Sequence, residues 1–357
     1  KKQKVMIAGI CGFIGNPLYR HLKENGFEVV GFDNHSRAEN VEAIGSKSIV
    51  EPEDPPHEKL DACDYVELRN FIAKEKPDAI VWLAEQPSAP FSMMSAEEAG
   101  RTQSNNIVGT LNALWAIREV APEAHLIKLG TEGEYPDWLW NGKHIPEGNR
   151  MIVNGDWEIP TPRYAGSWYH FSKLHDSMNI DYACKIWNIR ATDVNQGVIV
   201  GHLPGTRLDI DEHFGTVANR FAAQAAIGMP LTVYGEGGET RGFIALQNSI
   251  EAIELFIKNP AEKGQFRVIH QTAYEHSVNE IAQMVQEQTG ATIDHIENPR
   301  AEMPANKFTF DTSTLENLGL RKINIREAVN QICKITRDNK ESIEEVKDKI
   351  FPETKWR

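Results

Sequence analysis

The sequence is short of cysteine, of positive charge and of long apolar runs. Its four cysteines, Cys11, Cys63, Cys184 and Cys333, lie far apart, with no CxxC pair and no Cys/His cluster along the chain. Such spacing carries neither a disulfide framework nor a zinc motif, so no metal is expected, and a reducing, cytoplasmic setting is. No stretch approaches the roughly 20 apolar residues of a membrane span, so a membrane partner is excluded. The opening KKQKVMIAGICGFIG has the basic-then-apolar order of a leader. Its apolar run is short and broken by glycines, and reads as a buried first strand. With 38 Lys+Arg against 51 Asp+Glu, the net charge is −13. That balance excludes general nucleic-acid binding, which needs cations along the phosphate backbone. A local basic pocket for a small anion stays open.

What the chain does have is alternation. Apolar runs at Val5–Ala8, Glu28–Phe32, Ala79–Leu83, His125–Leu129 and Ile189–Asp193 read as strands. Helical patterns fill the gaps at Pro17–Asn25, Tyr65–Lys74, Ala96–Val120 and Ser167–Trp187, the first with Asn16 and Pro17 at its start. This order predicts an α/β chain with a Rossmann-type doubly wound parallel sheet. After Gly201 the pattern loosens. A helix at Val217–Ile227, a strand at Leu231–Tyr234, a helix at Ser277–Gln288 and a helical tail from Ile325 predict a smaller C-terminal α/β substrate lobe. The expected division gives residues 1–197 to the dinucleotide, with part of 240–272 returning to them, and 198–239 with 273–357 to the substrate. Between strand and helix, Pro136 to Arg163 carries Trp138, Trp140 and Trp157, and MIVNGDWE reads as a hairpin with a two-residue turn at Asn154 and Gly155. This insertion is either a surface ornament or the wall of a pocket.

The first strand runs into Gly9, Gly12 and Gly15, with Phe13 and Ile14 between, and a helix follows. Glycines there allow a tight turn, close approach to a pyrophosphate and close helix–sheet packing, with the helix N-terminus facing the phosphates. Asp33 ends the next strand, beside Asn34, where a carboxylate can accept both ribose hydroxyls and repel a 2′-phosphate. The cofactor expected is therefore NAD, and Arg37 reads as a solvated loop charge. Asp61 and Ala62, in DACD, follow the third strand, where Asp61 either meets adenine or caps a helix. Tyr169 and Lys173 are four apart on a helix, hence on one face. A nearby ammonium lowers a phenol's pKa and makes tyrosinate accessible as a base. Tyr19 and Lys23 share that spacing, but in the first helix, where a structural role is expected. Thr131 lies just past a strand end, within reach of the same reacting hydroxyl.

The GxxGxxG turn and the YHFSK helix resemble the extended short-chain dehydrogenase/reductase family, NAD-dependent epimerases and dehydratases of nucleotide sugars. KLGTEGEY, SWYHFSKLHDSMNI, IRATDVNQG, NRFAAQAAIGMPLTVYGEGGETRGF and ENPR resemble a sulfonating branch of it, over nearly the whole chain. That resemblance implies a UDP-hexose substrate, oxidation to a 4-keto sugar, loss of water across carbons five and six, sulfite addition and re-reduction. It implies Tyr169 and Lys173 as the redox pair with Thr131, and His170 at the sixth hydroxyl. Glu134 is a candidate for the carbon-five proton. Leu83, Ala84 and Glu85 would flank NAD, and Gln86, Ser88, Asn195 and Gln196 the sugar. Thr232, Tyr234, Arg241 and Arg300 would hold the uridine diphosphate, and two long helices would pair with their copies in a homodimer.

Two departures from the branch bear on the reaction. Pro87 stands where the branch has an arginine, which removes a cation that an anionic nucleophile needs. Glu132 stands where it has a methionine; hexose 4,6-dehydratases place an acid there and a glutamate next, where this chain has Gly133. Glu132 is then either the acid that protonates the departing hydroxyl or a solvated turn residue. A 5,6- or 4,6-dehydratase or a 4-epimerase without sulfite is the alternative, and a non-catalytic nucleotide-sugar or NAD binder a remote one. A binder of that kind would be expected to have lost Thr131, Tyr169 and Lys173.

Overall fold

The computed structural model describes residues 2–148, 150–153, 155, 157–160, 164–300 and 306–356. Seven strands form the main sheet: β1 (Lys4–Ala8), β2 (Glu28–Asp33), β3 (Glu58–Lys59), β4 (Ala79–Trp82), β5 (His125–Thr131), β6 (Arg190–Gln196) and β7 (Phe266–Gln271). They are parallel throughout, in the order β7-β6-β5-β4-β1-β2-β3. The order reverses beside β1, and a ligand crevice opens at such a switch point, outside the carboxyl ends of the strands.

Both faces of the sheet are covered, which is why its strands are continuous apolar runs rather than alternating ones. Along β1, Val5 and Ile7 face one core, with Leu18, Leu22, Ile250 and Ile253. Met6 and Ala8 face the other, with Leu68, Ile72, Leu114, Ile117 and Ile180. A third core fills the C-terminal lobe, where the helices Val217–Ala226, Val278–Thr289 and Ile325–Asp338 pack on Val200, Leu231, Phe243 and Ala245. Residues Val198–Val200, Thr240–Ala245 and Tyr274–Ser277 make a three-stranded sheet beneath it.

Several local expectations shift. The first helix spans Gly15–Glu24, so Pro17 sits within its first turn and Asn16 is inside the helix. The long helix expected over Ala96–Val120 is Ala96–Gln103 and Gly109–Val120 joined by a π turn at Ser104–Val108. The strand expected over Ile189–Asp193 runs on to Gln196. The hairpin pairs Val153 with Trp157. Gly155 there has φ +85°, while Asn154 lies outside the described residues. No helix among the described residues is long and apolar enough to cross a membrane.

Candidate active site

A cavity of about 600 Å³ runs from the glycine-rich turn across the sheet edge to the C-terminal lobe. Its floor is close-built. Gly9 has φ +81°, and a Cβ there would stand 2.7 Å from the Leu83 carbonyl; one on Gly15 would stand 2.2 Å from the Gly9 carbonyl. Phe13, Ile14, Asn34, Ala62, Leu83, Ala84 and Glu85 line the same end. Asp33 accepts the Cys11 and His35 backbone N–H groups at 2.9 and 2.7 Å, and lines the cavity. Arg37 is not a solvated charge. It donates to the buried Asp209 at 2.8 Å and stacks on Phe214, so its cation is committed there rather than to a ribose phosphate. A tight cradle ending in a carboxylate fits NAD. Asp61 neither lines the cavity nor caps a helix: it accepts Cys63 N–H at 2.9 Å within the loop, and Asp64 caps the Tyr65–Glu75 helix by accepting Glu67 N–H at 3.0 Å.

At the middle of the cavity, Thr131 ends β5 and its Oγ1 accepts Gly133 N–H at 3.1 Å. The Trp168–Trp187 helix is N-capped by Ser167, whose Oγ accepts His170 N–H at 3.1 Å. The first two turns thereby present Tyr169, His170 and Lys173 to the cavity. Lys173 Nζ donates to the Leu129 carbonyl at 2.7 Å, pairs with Glu85, and lies 5.7 Å from the Tyr169 ring centre. The shift on Tyr169 runs opposite to the lowering expected. Burial raises its pKa, Lys173 opposes this, and Glu85 adds to the rise by setting a negative charge beside that lysine.

The two glutamates part company. Glu132 is buried and lines the cavity; Oε2 accepts Gly242 N–H at 3.2 Å, while Oε1 has no hydrogen-bond partner. Burial, with Glu275 nearby, holds its carboxyl well above the usual range against the Gly242 N–H and Arg241. It is a buried acid that holds its proton more tightly than a free carboxyl does, not a solvated turn residue. Glu134 does not reach the cavity. It lies fully buried behind Lys173, 3.4 Å from Lys128 Nζ and 3.0 Å from Ser177 Oγ. Lys128 also faces Asp193 at 3.4 Å. Burial and Glu85 push Asp176 well up, while Glu85 itself, against its burial, is held low by Lys173 and Asp176. His170 takes the space above Gly133: a Cβ at 133 would stand 2.3 Å from its Cδ2. Its Nδ1 is 2.9 Å from Ser167 Oγ.

At the far end, Gln196, Tyr234, Arg241, Arg300 and Ser88 line the cavity. Thr232, Asn195 and Gln86 do not. Thr232 is tied to Gln224 at 2.8 Å, Asn195 accepts the Tyr135 hydroxyl at 2.9 Å, and Gln86 donates to Thr102 and Ser88. Sequence reasoning missed Arg220, which is buried, lines the cavity and donates to the Tyr234 hydroxyl at 2.8 Å. A lone arginine on the apolar Val217–Ala226 helix was its signal. Trp138 of the insertion also lines the cavity, with Pro136 and Asp137, so the start of that segment walls the pocket.

A parallel sheet, a glycine-rich turn closed by a carboxylate, and a Tyr/Lys helix on one cavity define a nucleotide-cofactor oxidoreductase class of site. The model of the NAD dependent epimerase/dehydratase family matches residues 5–270, and the chain belongs to that family of NAD-dependent enzymes. It is 37% identical to UDP-sulfoquinovose synthase of Sulfolobus acidocaldarius, over 99% of this chain and 98% of that one. It is 38% identical to the chloroplastic UDP-sulfoquinovose synthase of Spinacia oleracea, over 90% of this chain and 72% of that one. In fold it is similar to UDP-glucose 4-epimerase of Thermotoga maritima, solved with UDP-glucose, at TM-score 0.71 and 18% identity over 94% and 99% of the two chains.

Proposed function

We propose that the chain makes a sulfonated UDP-hexose from UDP-glucose and sulfite, as a UDP-sulfoquinovose synthase. The match at 37% identity, nearly end to end in both chains, carries this reading. Gly9, Gly12, Gly15 and Asp33 would hold NAD, which would supply reversible hydride acceptance at the sugar's fourth carbon. Tyr169 exchanges the proton of the fourth hydroxyl, with Thr131 sharing that hydroxyl. Glu132, its carboxyl pKa raised by burial and its Oε1 unpartnered, protonates the departing sixth hydroxyl. His170, whose ring lies above Gly133 and lines the cavity, takes the carbon-five proton in place of the remote Glu134. Tyr234, Arg220, Arg241 and Arg300 hold the uridine diphosphate, guanidinium forks suiting phosphate.

The departures weigh less against sulfite once the site is built. Burial favours the uncharged form of Glu132, which weakens its repulsion of the anion, and Arg241 lies near enough for its charge to act on Glu132. We read residues 1–197, with part of 240–272, as the NAD unit, and 198–239 with 273–357 as the nucleotide-sugar unit; β7 joining the main sheet supports that. A homodimer is supported by exposed Leu111, Trp115, Met178, Tyr182 and Ile186 on the two long helices. Four unpaired cysteines suit the cytoplasm.

The test is mass analysis of products from UDP-glucose and NAD, with and without sulfite. A sulfonated sugar nucleotide is expected only with sulfite, and nothing from Tyr169→Phe. Sulfite-independent loss of water would overturn the reading and make the chain a dehydratase.

A further inference from the structure

Away from the reacting carbons, the fold assembles a group that the sequence keeps apart. Cys11 lies in the glycine-rich turn, His35 just past β2, and His57 just before β3. The cysteine is 46 residues from His57, and the two histidines are 22 apart. Their sulfur and ring nitrogens nevertheless fall within 4.8 Å of one another. The expectation of no Cys/His cluster therefore fails in three dimensions.

The imidazoles are oriented from behind. His57 Nδ1 is 2.8 Å from the Pro55 carbonyl, which can only accept, so that nitrogen holds the proton and Nε2 presents a lone pair. His35 Nδ1 faces the Asp54 carboxylate at 3.8 Å. That leaves the two Nε2 atoms facing each other at 2.9 Å. Two lone pairs at that distance repel unless a proton or a metal cation lies between them. Cys11 Sγ is 3.6 Å from His57 Nδ1, and a cavity lined by Cys11, His35 and Asp54 opens on the group. A histidine whose second nitrogen is held by a carboxylate or carbonyl is the usual support of a metal-bound imidazole.

We infer that Cys11, His35 and His57 bind one zinc-type divalent cation at the rim of the cofactor cradle, with Asp54 or water as fourth ligand. One thiolate and two imidazoles suit zinc in both softness and number. Ligand–metal distances of about 2.0–2.3 Å place the donors of a tetrahedral site some 3.3–3.7 Å apart; here the two Nε2 atoms stand 2.9 Å apart and the sulfur lies within 4.8 Å of a nitrogen on each ring. On binding, the thiol proton leaves to solvent and the sulfur pair forms the metal bond. The cation ties together three loops that frame Asp33, whose carboxylate already accepts the Cys11 backbone N–H.

The experiment takes the whole chain, stripped with a chelator, and titrates it with cobalt(II) and then zinc(II). One cobalt per chain is expected, with a thiolate-to-cobalt charge-transfer band that zinc displaces. Cys11→Ser should abolish the band, His57→Gln should weaken affinity at least tenfold, and Cys63→Ser should leave both intact, each variant keeping the parent circular dichroism. The absence of a band in the parent overturns the proposal, as does a band that survives Cys11→Ser or an affinity within twofold of the parent in His57→Gln.

Discussion

Replacing Gly133 by alanine tests whether the place of His170 is functional. The backbone there lies outside the left-handed region, so alanine is tolerated by the chain itself. Its Cβ, however, would stand 2.3 Å from His170 Cδ2, where ordinary contact begins at 3.4 Å. The ring must retreat by the difference, 3.4 − 2.3 = 1.1 Å or more. It cannot do so freely, because Ser167 Oγ holds Nδ1 at 2.9 Å. A misplacement of about 1 Å in a reacting group costs on the order of a hundredfold in rate, and overpacking costs about 1–3 kcal/mol of stability. Turnover of UDP-glucose and sulfite, followed by product mass, should therefore fall about a hundredfold in Gly133→Ala, with NAD affinity within twofold of the parent. His170→Ala should lose a similar amount, and the double variant no more than either, since both act through one ring. Turnover within threefold of the parent in Gly133→Ala, or additive losses in the double variant, would refute the reasoning.

Glu132→Gln keeps an acceptor for the Gly242 N–H but removes the proton donor, so kcat should fall about 10²- to 10⁴-fold while substrate affinity holds. Because the folded pKa of Glu132 is raised, the folded chain keeps a proton that the unfolded chain gives up. Parent stability therefore falls as pH rises from the ordinary glutamate value toward the raised one, and Glu132→Gln should flatten that slope. Urea midpoints at a series of pH values check it; parallel curves for the two proteins would count against a raised Glu132 pKa. Lys128→Met leaves Glu134 and Asp193 buried without their cation and should cost about 3–5 kcal/mol. An unchanged midpoint would mean that the cluster holds more protons than its geometry implies.

The frame of the cofactor site could be read from the chain because it depends on neighbours in sequence. Three glycines between a strand and a helix, a carboxylate closing the next strand, and two side chains four apart on a helix are each fixed by local geometry. The misreadings arose where direction depends on packing. Glu132 and Glu134 sit in a 3₁₀ turn, where residues two apart point to different sides. Only Glu132 faces the cavity. Thr232 and Tyr234 share a strand face, but Gln224 covers the first and Arg220 meets the second, one helical turn apart. Asn195 and Gln196 are adjacent on β6 and so face opposite sides. Arg37 read as a loose surface charge because its partner, Asp209, lies 172 residues away.

The π turn at Ser104–Val108 gives the long helix two independent phases. A π turn holds one residue more than an α turn, and each residue advances an α-helix by about 100°. Upstream, the helix is set by Thr102, which accepts from Gln86 at 2.7 Å, and by Asn106, which donates to Gln86 and Ser172. Downstream it is set by Leu114 and Ile117 in the sheet core and by Trp115, stacked with Arg118 and Trp187. Shortening the segment by one residue would keep the first set of contacts and swing the second through about a quarter turn, drawing Trp115 across the surface and Leu114 out of the core. In evolutionary terms the bulge is a register lock. Point substitutions along this helix can be accepted singly, but a length change must happen at the bulge or not at all.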